Sequence, residues 1–344
     1  MTDEPEILFE KRGAAGIVTL NRPKALNALT HGMVVAMKAK LDEWVGDPSI
    51  GVVIVRGAGE RAFCAGGDIR AIAESGRAGT SYALDFWHDE YLLNATIKHY
   101  PKPYVAFIHG IAMGGGVGVS VHGQYRIACE TTLFAMPETG IGFFPDVGGS
   151  YFLPRCPGEI GMYLALTGAR LKAADALYAE VATHIVPQAR WSGLMDALET
   201  GAALPNLPAE FDSKTPAPLA EHREKIDRIF AAGSVEAILA RLDDEADDWS
   251  KATAATIRSK SPTSLKLTFR EMREGRKLFF DDCMRVEYRM ASRILAGNDF
   301  YEGVRAAIVD KDGAPKWRPA ALADVSDRDI DAYFAPLGVK ELRV

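Results

Sequence analysis

Apolar residues in this chain gather into short β-branched runs separated by longer segments of helical period. Ile7 to Glu10 and Gly16 to Leu20 read as the arms of a hairpin, with Gly13-Ala14-Ala15 at its turn. Thr30 is placed to cap a helix running to about Val45, because its hydroxyl can accept from amides that a helix start leaves unpaired. Gly51 to Arg56 is the next strand, Tyr82 to Lys98 the next helix, and Tyr104 to Ile108 a wholly apolar strand. Val117 to His122 reads as a buried helix and Tyr125 to Cys129 as a further strand. Strands alternating with helices at this spacing indicate an α/β architecture.

The pattern changes after residue 200. Between Ala202 and Pro218 prolines fall among small and polar residues, which reads as an irregular connection. From Leu219 to Leu295 the chain is charged and helical in period, with Arg223, Glu224, Lys225, Asp227 and Arg228 around Ile226, Ile229 and Phe230. The expected organisation is a core over 1–200 that carries the active site, a connection over 201–218, and a mainly helical region over 219–344.

Composition adds exclusions. With 48% hydrophobic and 25% charged residues among 344, the chain has the make-up of an ordinary globular enzyme. A net charge of −6 argues against nucleic acid or an anionic membrane as partner. Cys64, Cys129, Cys156 and Cys283 form no CxxC pair, which fits a reducing compartment better than a disulfide framework. The start, MTDEPEILFEKRG, is acidic and lacks an apolar leader, so the expected location is the cytoplasm, or the mitochondrial matrix for a mature form.

The chemistry concentrates between Gly110 and Pro154. Gly114-Gly115-Gly116 joins the Tyr104 strand to the following helix, and a strand that turns through glycines into a helix leaves N–H groups free at the helix start. Those donors can face a developing oxyanion. Glu138 and Asp146 follow in the same stretch and supply acid or base. Donors for an oxyanion beside a carboxylate suggest chemistry on a carbonyl. Each feature also has a plain structural reading: tight packing for the glycines, the first turn of a helix for Glu138 after Pro137, and a cap for Asp146.

Taken together, these stretches resemble the crotonase, or enoyl-CoA hydratase/isomerase, superfamily. The resemblance rests on LNRPKALNAL (Leu20 to Leu29), FCAGGDIR (Phe63 to Arg70), DEYLLN (Asp89 to Asn94), the Gly110–Pro154 core, and FYEGVRAAIVDKDGAPKW (Phe300 to Trp317). It implies a crotonase-like α/β spiral of ββα units with a helical C-terminal region. It implies an oxyanion hole at Gly67 and Gly115, catalytic acids at Glu138 and Asp146, and substrate contacts at Glu90, Leu26, Ala65, Asp68 and Ile69. Where hydratases of the superfamily carry a glutamate on the helix after the glycines, this chain has Gly118, and it carries Asp146 where they have a small residue. That pattern is similar to the thioester-hydrolase branch and implies hydrolysis of 3-hydroxyisobutyryl-CoA in valine breakdown. The alternatives are an enoyl-CoA hydratase or isomerase, and a non-catalytic acyl-CoA-binding protein. Coenzyme A enters as part of the substrate and no separate cofactor is implied; a homotrimer or hexamer is implied by resemblance alone.

Three competing motifs are weaker. Gly57-Ala58-Gly59-Glu60-Arg61-Ala62 fits a dinucleotide fingerprint, but the sequence after it does not continue as a helix. Ser120 and His122 lack the last glycine of a nucleophile elbow, and a helix is the wrong setting for one. The histidines show no metal-binding spacing. Arg22, Lys24 and Arg70 are candidates for the CoA phosphates.

Overall fold

The computed structural model describes residues 4–201, 216–245 and 247–344. The connection expected over 201–218 therefore lies largely outside the described residues. The chain forms two compact units that do not follow chain order. The first comprises Met1–Asp68, Leu92–Phe134 and Arg170–Ala220; the second comprises Ile69–Tyr91, Ala135–Ala169 and Glu221–Val344.

The first unit is built on two sheets. Strands β1 (Ile7–Arg12), β2 (Ala15–Leu20), β3 (Val52–Gly57), β5 (Tyr104–Ile108), β7 (Tyr125–Ala128) and β10 (His184–Ile185) form one, in the order β1-β2-β3-β5-β7-β10. Strands β4 (Ala62–Cys64), β6 (Ile111–Met113), β8 (Leu133–Ala135) and β9 (Leu171–Lys172) form the other, in the order β4-β6-β8-β9. After the β1–β2 hairpin, β3, β5 and β7 in the large sheet are each followed by a strand of the small one. Helical segments precede the next turn. This is the ββα spiral that the resemblance implied.

From β2 to β10 the large sheet is parallel. Parallel strands are covered on both faces, which explains why they read as continuous apolar runs rather than alternations. Ile17, Ile54, Val105, Phe107 and Ile127 stack in its core with Trp191, whose indole N–H donates to the Val186 carbonyl at 3.0 Å. Each such aliphatic side chain contributes roughly 1.5–3 kcal/mol by leaving water. Thr30 caps the helix His31–Gly46 as its sequence implied, accepting from the Met33 amide.

The second unit is mostly helical. It contains Pro262–Gly275, Phe280–Ile294 and Asp299–Val304, together with the short turn Glu138–Ile141. Trp87, Phe143 and Phe300 pack ring against ring in its interior, with Trp87 and Phe143 stacked at 5.3 Å between centroids. Among the described residues, no helix is long and apolar enough to cross a membrane.

Candidate active site

In the first unit, the LNRPKALNAL segment braces the start of the FCAGGDIR loop. Leu26 and Asn27 both adopt positive φ, 52° and 56°, which bends the chain sharply. Fully buried Asn27 locks the bend: its amide donates to the Ala58 and Ala62 carbonyls, and its carbonyl oxygen accepts from the Arg22 amide. Beyond the bend, the Leu26 carbonyl accepts from Ala65 at 3.0 Å. Leu29 then donates to Gly66 at 2.8 Å and accepts from Asp68 at 2.9 Å. Leu29 thus bridges the residues on either side of Gly67, and the Gly67 N–H takes no part in that bridge.

The second expected donor lies close by. Gly115 is the first residue of the helix Gly115–Val121, so its N–H has no acceptor within that helix. A Cβ built on Gly66 would stand 3.8 Å from the Gly115 nitrogen, so the two glycine loops are neighbours. Gly116 has a different task. A side chain there would meet the Cys64 carbonyl at 2.2 Å, so glycine lets the helix rest against β4.

All seven residues of Gly115–Val121 are buried, Gly118 among them. The Ser120 hydroxyl donates to the Gly116 and Val117 carbonyls of its own helix, which commits it to local bonding and not to nucleophilic attack.

The other substrate-contact candidates lie on the LNRPKALNAL and FCAGGDIR segments, Leu26 on the first and Ala65, Asp68 and Ile69 on the second. Leu26, Ala65, Asp68 and Ile69 are half-buried. Asp68 pairs with Arg22 at 3.3 Å, and Arg22 also pairs with Glu6 at 3.0 Å and donates to the Ala28 carbonyl. Arg22 is thus engaged in bracing the loop. Lys24 and Arg70 are exposed, and Arg70 donates to the Ile308 carbonyl at 3.3 Å.

The second unit holds the acids. Glu90, Glu138 and Asp146 are 2%, 6% and 5% exposed. Glu138 opens its turn directly after Pro137, as the sequence implied. Helices from the C-terminal region fasten that turn: the Ser261 amide donates to the Thr139 carbonyl, and a side chain on Gly303 would run into Ile141 at 2.3 Å. Gly303 belongs to the FYEGVRAAIVDKDGAPKW stretch, and its missing Cβ is what allows this approach.

Asp146 accepts a hydrogen bond from the Tyr91 hydroxyl at 2.8 Å. Two further acids join this group that the sequence did not single out. Glu271 is 1% exposed and Glu287 fully buried. Glu287 accepts from the Gly148 and Ser150 amides. Both acids sit on the buried stripes of their helices, among Leu267 and Met272, and among Cys283, Met284, Met290 and Ala291. A carboxylate at an apolar position of the helical period was the available signal.

Five buried carboxyls cannot all be ionised. Burial pushes Glu138 well above the usual carboxylate range, the Asp146 charge adds to this, and its own amide and Lys260 oppose it. Burial raises Glu90 likewise, helped by Asp146 and Glu287. Asp146 is pushed up to about 7 by burial, against the Tyr91 hydrogen bond. Glu287 is pushed up to about 8, again by burial, against its amide and hydroxyl donors. Groups near neutrality are what proton transfer at pH 7 requires. Among the described residues, no cluster of His, Cys, Asp and Glu is arranged to hold a metal ion.

Comparison with known proteins agrees with this picture. Residues 15–334 match the enoyl-CoA hydratase/isomerase family. The mitochondrial 3-hydroxyisobutyryl-CoA hydrolase of Danio rerio is 50% identical, over 98% of this chain and 92% of its own. The human enzyme of the same name is 45% identical, over 98% of this chain and 90% of its own. A crystal structure titled carnitinyl-CoA dehydratase, from Mycobacterium thermoresistibile, superposes with a TM-score of 0.92 at 44% identity, covering 99% of both chains. One titled enoyl-CoA hydratase, from Rhodobacter sphaeroides, gives 0.93 at 40%, covering 99% of this chain and 100% of the other. Fold, glycine loops and sequence agree, and the chain belongs to the enoyl-CoA hydratase/isomerase family.

Proposed function

We propose that the chain acts as a thioester hydrolase, converting 3-hydroxyisobutyryl-CoA and water to the free hydroxy acid and coenzyme A, a step of valine breakdown. Relatives at 44–50% identity over nearly the whole chain carry that activity in their names. The observation in the molecule that carries the reading is that a glycine stands at 118 and a buried carboxyl at Asp146. The helix after the triple glycine offers no carboxylate at Gly118, while a buried one stands at Asp146 under the Tyr91 hydroxyl.

In this reading the Gly67 and Gly115 amides receive the thioester oxygen as it becomes an oxyanion. Losing one such donor typically costs ~10²–10³ in rate. Glu138 opens the thioester, as base for water or as nucleophile. The tetrahedral species collapses with cleavage of the C–S bond. A free thiol has a pKa near ~8.5, so the departing sulfur needs little help from an acid. Asp146 and Glu90 are assigned to the substrate hydroxyl, and Leu26, Ala65, Asp68 and Ile69 to further substrate contacts. No cofactor is needed beyond the CoA of the substrate. A trimer or hexamer is the proposed assembly. We place the chain in a reducing compartment, cytoplasm or matrix; the relatives named above are mitochondrial.

The test is thiol release across a panel of acyl-CoA esters. The expected result is that kcat/KM for 3-hydroxyisobutyryl-CoA exceeds that for isobutyryl-CoA by at least ~100-fold, because a site built for a hydroxyl leaves polar groups unpaired when the hydroxyl is missing. Equal rates would make the protein a general short-chain thioesterase. The titles of the two solved structures favour a second reading, hydration of an enoyl-CoA. Rapid hydration of crotonyl-CoA without thiol release would establish it.

A further inference from the structure

We propose that Glu287 is a positioning residue for Asp146: by gripping the turn that follows Asp146, its carboxylate sets where the Asp146 carboxylate points. The proposal rests on Asp146 reading the substrate hydroxyl.

The chain leaves Asp146 through two successive left-handed residues, Val147 at φ 51° and Gly148 at φ 86°. Glycine adopts this conformation freely. Valine is β-branched, and the left-handed region disfavours L-residues by roughly 1–2 kcal/mol. Val147 is fully buried, so the strained residue is also anchored. Strain of this kind persists only where the surroundings enforce it.

Glu287 supplies the enforcement. Its Oε2 accepts from the Gly148 amide at 2.8 Å, and its Oε1 accepts from the Ser150 amide at 3.0 Å and from the Ser150 hydroxyl. All three donors belong to one turn, and both carboxylate oxygens are used. The short helix Gly149–Phe152 has no side-chain cap of its own. Glu287 reaches it from the helix Phe280–Ile294, distant in sequence. From another side, a Cβ on Gly275 would stand 2.0 Å from the Ser150 carbonyl, so the helix Pro262–Gly275 closes directly on the same turn. The turn is held by carboxylate and backbone together, and Asp146 sits at its first residue.

Glu287→Gln keeps the shape but sets an NH2 group against amide donors. Ser150→Ala removes one donor of three and keeps both amides. The experiment measures kcat/KM on 3-hydroxyisobutyryl-CoA and on isobutyryl-CoA for wild type, Glu287→Gln, Ser150→Ala and Asp146→Asn, with thermal melting of each. Small misplacement of a reacting group costs up to ~10²-fold. The expected result is therefore a fall of at least ~10-fold in the hydroxy-to-deoxy ratio for Glu287→Gln, a smaller fall for Ser150→Ala, and the largest for Asp146→Asn. A merely structural role would lower the melting temperature and both rates in proportion, leaving the ratio unmoved, and that result overturns the proposal. A ratio that collapses in Asp146→Asn but stands in folded Glu287→Gln overturns the clamp alone. A ratio unmoved in Asp146→Asn overturns the assignment of Asp146, and the clamp with it. If Glu287→Gln does not fold, Ser150→Ala decides: an unmoved ratio there refutes the proposal.

Discussion

Tyr91→Phe removes a single oxygen from the acid cluster and leaves the ring in place. Tyr91 is fully buried and its hydroxyl donates to Asp146 Oδ2 at 2.8 Å. Asp146 stands at about 7, raised by burial and held down by this bond and its own amide. A hydrogen bond to a charged acceptor contributes ~1.5–3 kcal/mol, and one pKa unit corresponds to about 1.36 kcal/mol. Losing the bond therefore raises Asp146 by a further one to two units or so. At pH 7 its ionised share drops from about half to between a tenth and a hundredth, roughly.

If Asp146 works as a carboxylate, kcat/KM for 3-hydroxyisobutyryl-CoA at pH 7 falls about 5- to 50-fold in the variant and recovers toward about pH 9. Thiol release recorded across pH reads this directly. Glu90, Glu138, Glu271 and Glu287 share the cluster's charge, so the observed midpoint belongs to the group. The sign does not depend on that sharing, because taking a donor from a carboxylate can only move its titration upward. A drop that is uniform across pH, or a rate at pH 7 within about twofold of wild type, would refute the argument.

Glu138→Gln is expected to lose more than about 90% of kcat while still binding acyl-CoA, a loss above ~1.4 kcal/mol; turnover measured beside calorimetric binding checks it. Gly116→Ala is expected to destabilise the fold by roughly 1–3 kcal/mol or more, because its methyl would meet a backbone carbonyl at 2.2 Å. Gly193→Ala, with nothing within 4 Å, should leave the denaturation midpoint unchanged or raise it. Asp146→Asn should stabilise the protein at pH 8. A carboxyl raised from 3.8 to about 7 loses stability as pH rises through that window, by up to about 4 kcal/mol shared with its neighbours, so the gain should vanish near pH 4. Melting curves at the two pH values test the sign.

The parts of the fold that could be read in advance are those long enough to show a period. The hairpin, the Thr30-capped helix and the buried strands of the large sheet fall where their patterns put them. The small sheet did not show itself, because strands of two or three residues such as β4, β6 and β9 carry no alternation to detect. Its existence had to come from the family resemblance. The glycine loops were legible because glycine next to glycine after a strand has few explanations. Glu271 and Glu287 were not, because charged residues on a strongly amphipathic helix usually lie on its solvated face. Placing them needed the helix phase: Glu287 lies four residues from both Cys283 and Ala291, on the stripe that faces inward.

That placement also ties the C-terminal region to the acid cluster. Glu138 and Asp146 lie within the part of the chain expected to carry the active site. Yet their turns are fastened by Ser261, Gly275, Glu287 and Gly303, all far along the chain. Burying several acids together works against stability, since each would ionise more readily in water, and a loose segment would relieve the strain by opening. Helices that press backbone against backbone at glycines, and a carboxylate that takes three donors from one turn, deny it that escape. The cost has a use in the proposed mechanism: burial lifts these carboxyls above the usual carboxylate range, toward the range in which a side chain can accept and return a proton. Residues after 220 therefore hold the turns that carry Glu138 and Asp146, and in the proposed mechanism they act by placing those acids, without touching the substrate.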